Sequence, residues 1–412
     1  MRAGGSRIAR CAQTALSGRA QTGVMRMRSR SRSRLGRFVA PAALGAAVMM
    51  LFGLAACAPE REPDPRPEPL PAPTGEAPEP STERMLLLAS LAHGDEVAII
   101  DPALPDAEAV VRRITVGAAP WGVGVHGGTG YAATAEGLAV IDLAAGERTA
   151  LVQYRHPAVR IGSGEYRPGG LALAIAPDGS RVYVAVTADG SAEWLEVFDT
   201  ASGAFVAAVQ VGLRPFDVLA DPGGRWVATV DHDGFTVTVI DAVSLVPAQY
   251  TVAPFGTAGG LASWEKPHYG AIDANGTIHL PYQGLAVARL DPLTGRYDTV
   301  SSRANSHAHG VALAGRLLVT VGTGSFGNAT GGPNLSLLDL DSGEERIVPL
   351  DPPHETVAIW RDEAGREYAA ASGGNTREMG WDGITLVALD DLELRRIPVA
   401  GYPQNLVSFA GR

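Results

Sequence analysis

The reading of the fold starts from GLRPFDVLADPGGRWVATVDHDGFTVTVID, residues 212–241. Three short apolar runs stand in it: FDVLA, RWVATV and FTVTVID. The turn DPGG separates the first two and DHDG the last two. Runs of four to seven residues rich in β-branched and aromatic side chains, punctuated by Gly, Pro and Asp, predict strands joined by tight turns. The phrase recurs. GGLALAIAPDGSRVYVAVTADGSAEWLEVFD occupies residues 169–199, and APWGVGVHGGTGYAATAEGLAVID occupies residues 119–142. Self-similarity at a fixed spacing takes precedence over any single-segment reading.

The residue ahead of each repeat's first apolar run can serve as a marker: Trp121, Leu171, Phe216, His268, His309, His354 and Gln404. Successive markers lie 50, 45, 52, 41, 45 and 50 residues apart. A period in the forties with four strands per unit predicts an all-β, seven-bladed β-propeller of four-stranded blades. The ends fit the count. The domain opens with three strands, MLLLAS, EVAIID and AVVRRITV, and closes with one left over, QNLVSF at residues 404–409. Joining the last strand to the first three completes a blade and leaves no free sheet edge.

Three regions precede or form this domain: residues 1–56, 57–82 and 83–412. Residues 1–37 carry ten arginines and no acid; residues 38–56 are apolar and end in Leu54-Ala55-Ala56 before Cys57. A basic stretch, an apolar stretch and small residues before a cut make a secretory signal. The LAAC tetrapeptide resembles the bacterial lipobox, which implies lipidation of Cys57 and a place on the outer side of a cell membrane or on an outer membrane. Residues 58–82 hold nine prolines and read as an extended, unfolded spacer. Cleavage removes ten of the 34 basic residues and none of the 44 acidic ones. An excess of twenty acids excludes a nucleic-acid partner, which needs basic surface. With Cys11 removed and Cys57 lipidated, no thiol is left for a disulfide or a nucleophile.

The segments AIAPDGSRVYVAV (residues 174–186) and VFDTASGAFVAAVQVG (residues 197–212) resemble the YVTN-repeat family of seven-bladed propellers. The resemblance runs over about residues 85–412, and the later blades depart from it: LAGRLLVT lacks the Pro-Asp-Gly turn. It implies the fold and leaves function to the site.

In a propeller the loops entering the inner strands, and the loops between second and third strands, share one face. The markers should therefore ring one mouth of the central channel. His268, His309 and His354 are consecutive markers and are expected at equivalent positions. His307 lies two residues before His309; His93 and His232 fall in second-to-third strand loops on the same face. Six of the nine histidines thus converge on one opening. Imidazoles from neighbouring elements suit Zn²⁺ or Cu²⁺, with Glu355, Asp231 and Asp233 as carboxylates that ligate or orient. The segments HAHGVAL and PPHETVAI also resemble the periplasmic zinc-metallochaperone propellers of the AztD type, which present mouth histidines. Two long loops on this face, residues 322–334 and 372–383, carry Arg377, Glu378 and Trp381 as candidate ligand contacts.

Two function classes follow. One is a lipid-anchored binding module of the cell envelope, taking a metal, a small ligand or an envelope protein. The other is an enzyme or enzyme subunit, since lactonases and the heavy chains of quinoprotein amine dehydrogenases use related propellers. The chain has no Cys-x-x-Cys-His, no Gly-x-Ser-x-Gly, no Walker loop and no His-Glu-x-x-His, which favours the binding module.

Overall fold

A computed structural model describes residues 84–188, 192–304, 309–322, 324, 331–374 and 381–411, with only the backbone for His309. The expected signal, Cys57 and the Pro-rich segment lie outside the described residues. No helix among those described is long and apolar enough to cross a membrane.

The described residues form seven four-stranded antiparallel sheets arranged as a β-propeller. Six sheets use four strands in chain order; one such blade is Pro215–Ala220, Trp226–Asp231, Thr236–Asp241 and Pro247–Thr251. In the remaining sheet Pro403–Ala410 pairs with Met85–Leu91, followed by Glu96–Ile100 and Val110–Thr115. The one-plus-three closure therefore holds. Numbering blades from the N-terminus, the sheet that closes the ring is blade one, and the sheet of residues 215–251 is blade four.

The sequence pattern explains the packing. Second strands are buried on both faces, so they read as nearly continuous apolar runs. In blade four Trp226, Ala228 and Val230 face blade five and pack on Ile278, Leu280 and Tyr282. Val227, with the opposite side-chain direction, faces blade three and packs with Tyr183 and Ala185. Outer strands alternate, as in Ala204–Val211, because their outward residues meet solvent. At the seam, Leu87 and Ala89 of blade one pack against Ala358, Trp360 and Ala370 of blade seven. The Trp360 indole N–H donates to the Met85 carbonyl at 2.7 Å.

The inner strands crowd the axis. A Cβ at Gly310, which has φ +23°, would lie 2.4 Å from the Thr356 Cα; one at Gly122 would lie 2.7 Å from the Leu171 carbonyl oxygen. Glycine stands at these two positions because the backbone of the next blade occupies the side-chain space.

Candidate functional site at the channel mouth

The markers of blades two to five converge as expected. Trp121, Leu171 and Phe216 form one buried apolar cluster. The Phe216 ring stacks on His268, centroids 5.0 Å apart and 13° from parallel. The two residues are structural equivalents. Each lies five positions ahead of an aspartate, Asp221 or Asp273, whose N–H closes the following hairpin at 3.0 Å. The Trp121 indole hydrogen-bonds the Tyr269 phenol, whose pKa burial raises, with Glu165, Asp217 and Glu355 adding to the rise.

His354 is not equivalent to His268. The matching hairpin bond of blade seven is made by Asp362, eight residues on, and the strand begins only at Thr356. His354 sits in the entering loop, fully buried. Its Nδ1–H donates to the Pro352 carbonyl at 2.8 Å. Its Nε2 accepts from the Trp381 indole at 3.0 Å and the Thr385 hydroxyl at 2.7 Å. Both nitrogens are thus engaged, and burial pulls the ring's pKa down to about 4. Glu355 accepts from the Gln404 amide at 2.7 Å. The Glu355–Gln404 bond ties blade seven to the closing strand. His309 begins the inner strand of blade six, paired with Val321. Its side chain, His307, Arg377 and Glu378 lie outside the described residues. His93 is in the second-to-third strand turn of blade one, its ring 4.7 Å from that of Tyr402.

His232 and His268 come together. Both are buried, and their ring centroids are 4.0 Å apart. His232 belongs to a single 3-10 turn, His232–Gly234, that follows the second strand of blade four. Its Nδ1 is 2.9 Å from Asp233 Oδ1. The Lys266 ammonium reaches the same oxygen at 2.8 Å and the Leu261 carbonyl at 2.8 Å. Arg214 Nε stands 3.4 Å from Asp233 Oδ2. Burial would push the Asp233 carboxyl up, but the hydrogen bonds from His232 and Lys266 outweigh it and hold the pKa down to about 2. Burial lowers the His232 pKa, so the ring is neutral. Tyr166, on the loop entering blade three, closes over this group. Its ring lies 5.4 Å from Phe216 and 6.4 Å from His232, with the Arg214 guanidinium 5.0 Å above it.

Asp231, expected as an orienting carboxylate, instead takes the hydroxyls of Thr229, Thr236 and Thr238 at 2.6, 3.0 and 2.6 Å. Its role is to bind blade four together. Asp217, the neighbour of Phe216 in the inner strand of blade four, is half-buried. Burial raises its pKa to about 7 although two backbone N–H groups, of Gly270 and Val218, hold its oxygens. Lys266 is the member of this group that the sequence reading does not single out. One signal was available: it is the only lysine in 412 residues. Among the described residues no three His, Cys, Asp or Glu side chains are set to hold a metal ion. What the described site offers is two adjacent imidazoles, at least one of them neutral and oriented by a carboxylate.

No protein-family profile matches the chain, and no curated protein sequence matches it either. Solved structures do. Hydrazine synthase of Kuenenia stuttgartiensis is similar at TM-score 0.51 and 16% identity, over 68% of this chain and 86% of that one. A functionally unknown protein from Desulfotomaculum acetoxidans is similar at TM-score 0.57 and 9% identity, over 79% and 99%. Dihydro-heme d1 dehydrogenase NirN in complex with DHE is similar at TM-score 0.51 and 15% identity, over 81% and 76%. At these identities the likeness shows the propeller fold and nothing finer.

Proposed function

We propose that this chain is a lipid-anchored binding propeller of the cell envelope whose mouth takes up a divalent transition metal, Zn²⁺ or Cu²⁺, through His232 and His268. One observation carries the reading: two buried imidazoles lie side by side at the mouth, and a carboxylate orients one of them as in carboxylate–histidine–metal arrangements. The resemblance to YVTN-repeat propellers supports the binding-module part of this reading. Met85 pairs with Ala410, at the end of the closing strand remote from Gln404. The described residues therefore begin on the face opposite the mouth.

Titrating the metal-stripped chain with Zn²⁺ and with Cu²⁺ tests the site. The His232→Ala, His268→Ala double variant is expected to bind at least ~100-fold more weakly, since it loses two ligands. Both rings are buried and packed between blades four and five, so a circular dichroism melt of the variant accompanies the titration to show that the fold persists. Wild-type affinity no better than millimolar, or equal affinity in the double variant, overturns the metal reading. Cys57→Ser tests the anchor. The variant is expected to leave the membrane fraction or to stay uncleaved; membrane retention with normal processing removes the lipoprotein reading.

A further inference from the structure

From the contacts of His232 we infer that Lys266 and Asp233 are a positioning pair, which fixes the His232 ring as the Nδ1–H tautomer and leaves Nε2 as its one lone pair, beside His268. The inference rests on the proposed metal site, because positioning matters there only if that lone pair is used.

The chemistry of the contacts assigns the proton. Asp233 Oδ1 already receives the Lys266 ammonium. A carboxylate salt-bridged to an ammonium is an acceptor only. The hydrogen between Asp233 and His232 must therefore sit on Nδ1, and a neutral ring then has its lone pair on Nε2. Lys266 is unusual in both its burial and its rarity. It is 2% exposed, and every one of the chain's other 33 basic residues is an arginine. An ammonium is a point charge with three donors. It meets Asp233 Oδ1, the same oxygen that His232 Nδ1 reaches, and the Leu261 carbonyl, so that oxygen accepts from both. Arg214 does not replace it, being partly exposed and 3.4 Å from the other oxygen. A buried ion pair adds little net stability over an apolar pair of the same volume. Fixing the geometry of a partner is the better-attested use of such a pair, and here the partner is His232.

A role confined to stapling the loop of residues 253–268 onto blade four would leave the tautomer indifferent to Lys266. Histidine-selective ¹H–¹⁵N correlation on the metal-free chain distinguishes the two. In the wild type His232 should show a protonated Nδ1 and an unprotonated Nε2. Asp233→Asn, which is isosteric, should yield a mixture of tautomers, because the amide can donate to Nδ1 as well as accept from it. Lys266→Met should do the same, and Lys266→Arg should restore part of the wild-type pattern. Zn²⁺ affinity should fall about 10–100-fold in Asp233→Asn and in Lys266→Met. If Lys266→Met does not fold, Asp233→Asn decides. A wild-type ring protonated on Nε2, or unchanged tautomers in Asp233→Asn, overturns the inference. Should the wild type bind no metal while the tautomer follows these substitutions, the positioning pair stands and the metal reading falls.

Discussion

Deleting residues 404–412 is expected to abolish the cooperative thermal transition of the propeller. The deletion removes the inner strand of blade one, which pairs along its length with Met85–Leu91. Leu406 leaves the core shared with blade seven, and Phe409 the core shared with blade two. Several seam hydrogen bonds go as well. The Gln404 carbonyl accepts from the Ser372 hydroxyl at 2.9 Å and from Thr356, and the Asn405 N–H donates to the Ser90 hydroxyl at 3.1 Å. Met85–Leu91 would then present unpaired backbone to water or to other chains. A domain is held by only ~5–15 kcal/mol, and losing a whole buried strand with two core anchors is expected to exceed that margin. Circular dichroism melts and gel filtration check this. A cooperative melt within a few degrees of the wild type, on a monomer, would show that closure by the last strand is dispensable.

The second large effect is expected in acid and comes from His354. Folded, its pKa lies at about 4, chiefly through burial; the Pro352 carbonyl opposes that shift, and Arg396 adds slightly to it. Unfolded, an imidazole titrates near ~6.5. The folded pKa is the lower one, so as pH falls below ~6.5 the unfolded chain gains a proton that the folded chain refuses. The stability that His354 contributes is complete above ~6.5 and is lost as pH falls to about 4, an effect on the order of 3 kcal/mol. His354→Gln carries no titrating group. It should be less stable than wild type at pH 7, having lost a ring that satisfies three partners. The gap should close by about 3 kcal/mol towards pH 4. Denaturant midpoints of both proteins at several pH values measure it, and parallel curves would refute the assignment. The carboxylates titrate in both chains and cancel in the comparison.

Register is where sequence and structure part company. Phe216 and His268 were aligned correctly because each precedes its hairpin aspartate by the same count, a local fact. His354 was aligned by the same rule of thumb, a residue ahead of an apolar run, and the rule failed. The loop from Leu350 turns back within itself before Thr356, and no local composition marks which residue begins the strand. The same limit applies to Asp231. In sequence it is one of two acids flanking His232; in the fold its pleat direction turns it into the sheet among three threonines, while Asp233, two residues on, faces the mouth.

The sequence by itself determined the all-β class, the seven-fold count and the closure by one strand plus three. Those follow from strand length, turn chemistry and period, all written within a few tens of residues. It also brought the first four markers to one channel mouth, since equal repeats place equal positions on one ring. Only the tertiary structure decided the membership of the site. Lys266 meets Asp233 because the loop entering blade five folds back over the turn of blade four, 33 residues earlier. His354 is drawn off by Pro352, Thr385 and Trp381 because burial forces each of its nitrogens to find a partner. A periodic pattern specifies where strands lie; which polar groups pair depends on distances between blades, and those exist only once the ring has closed.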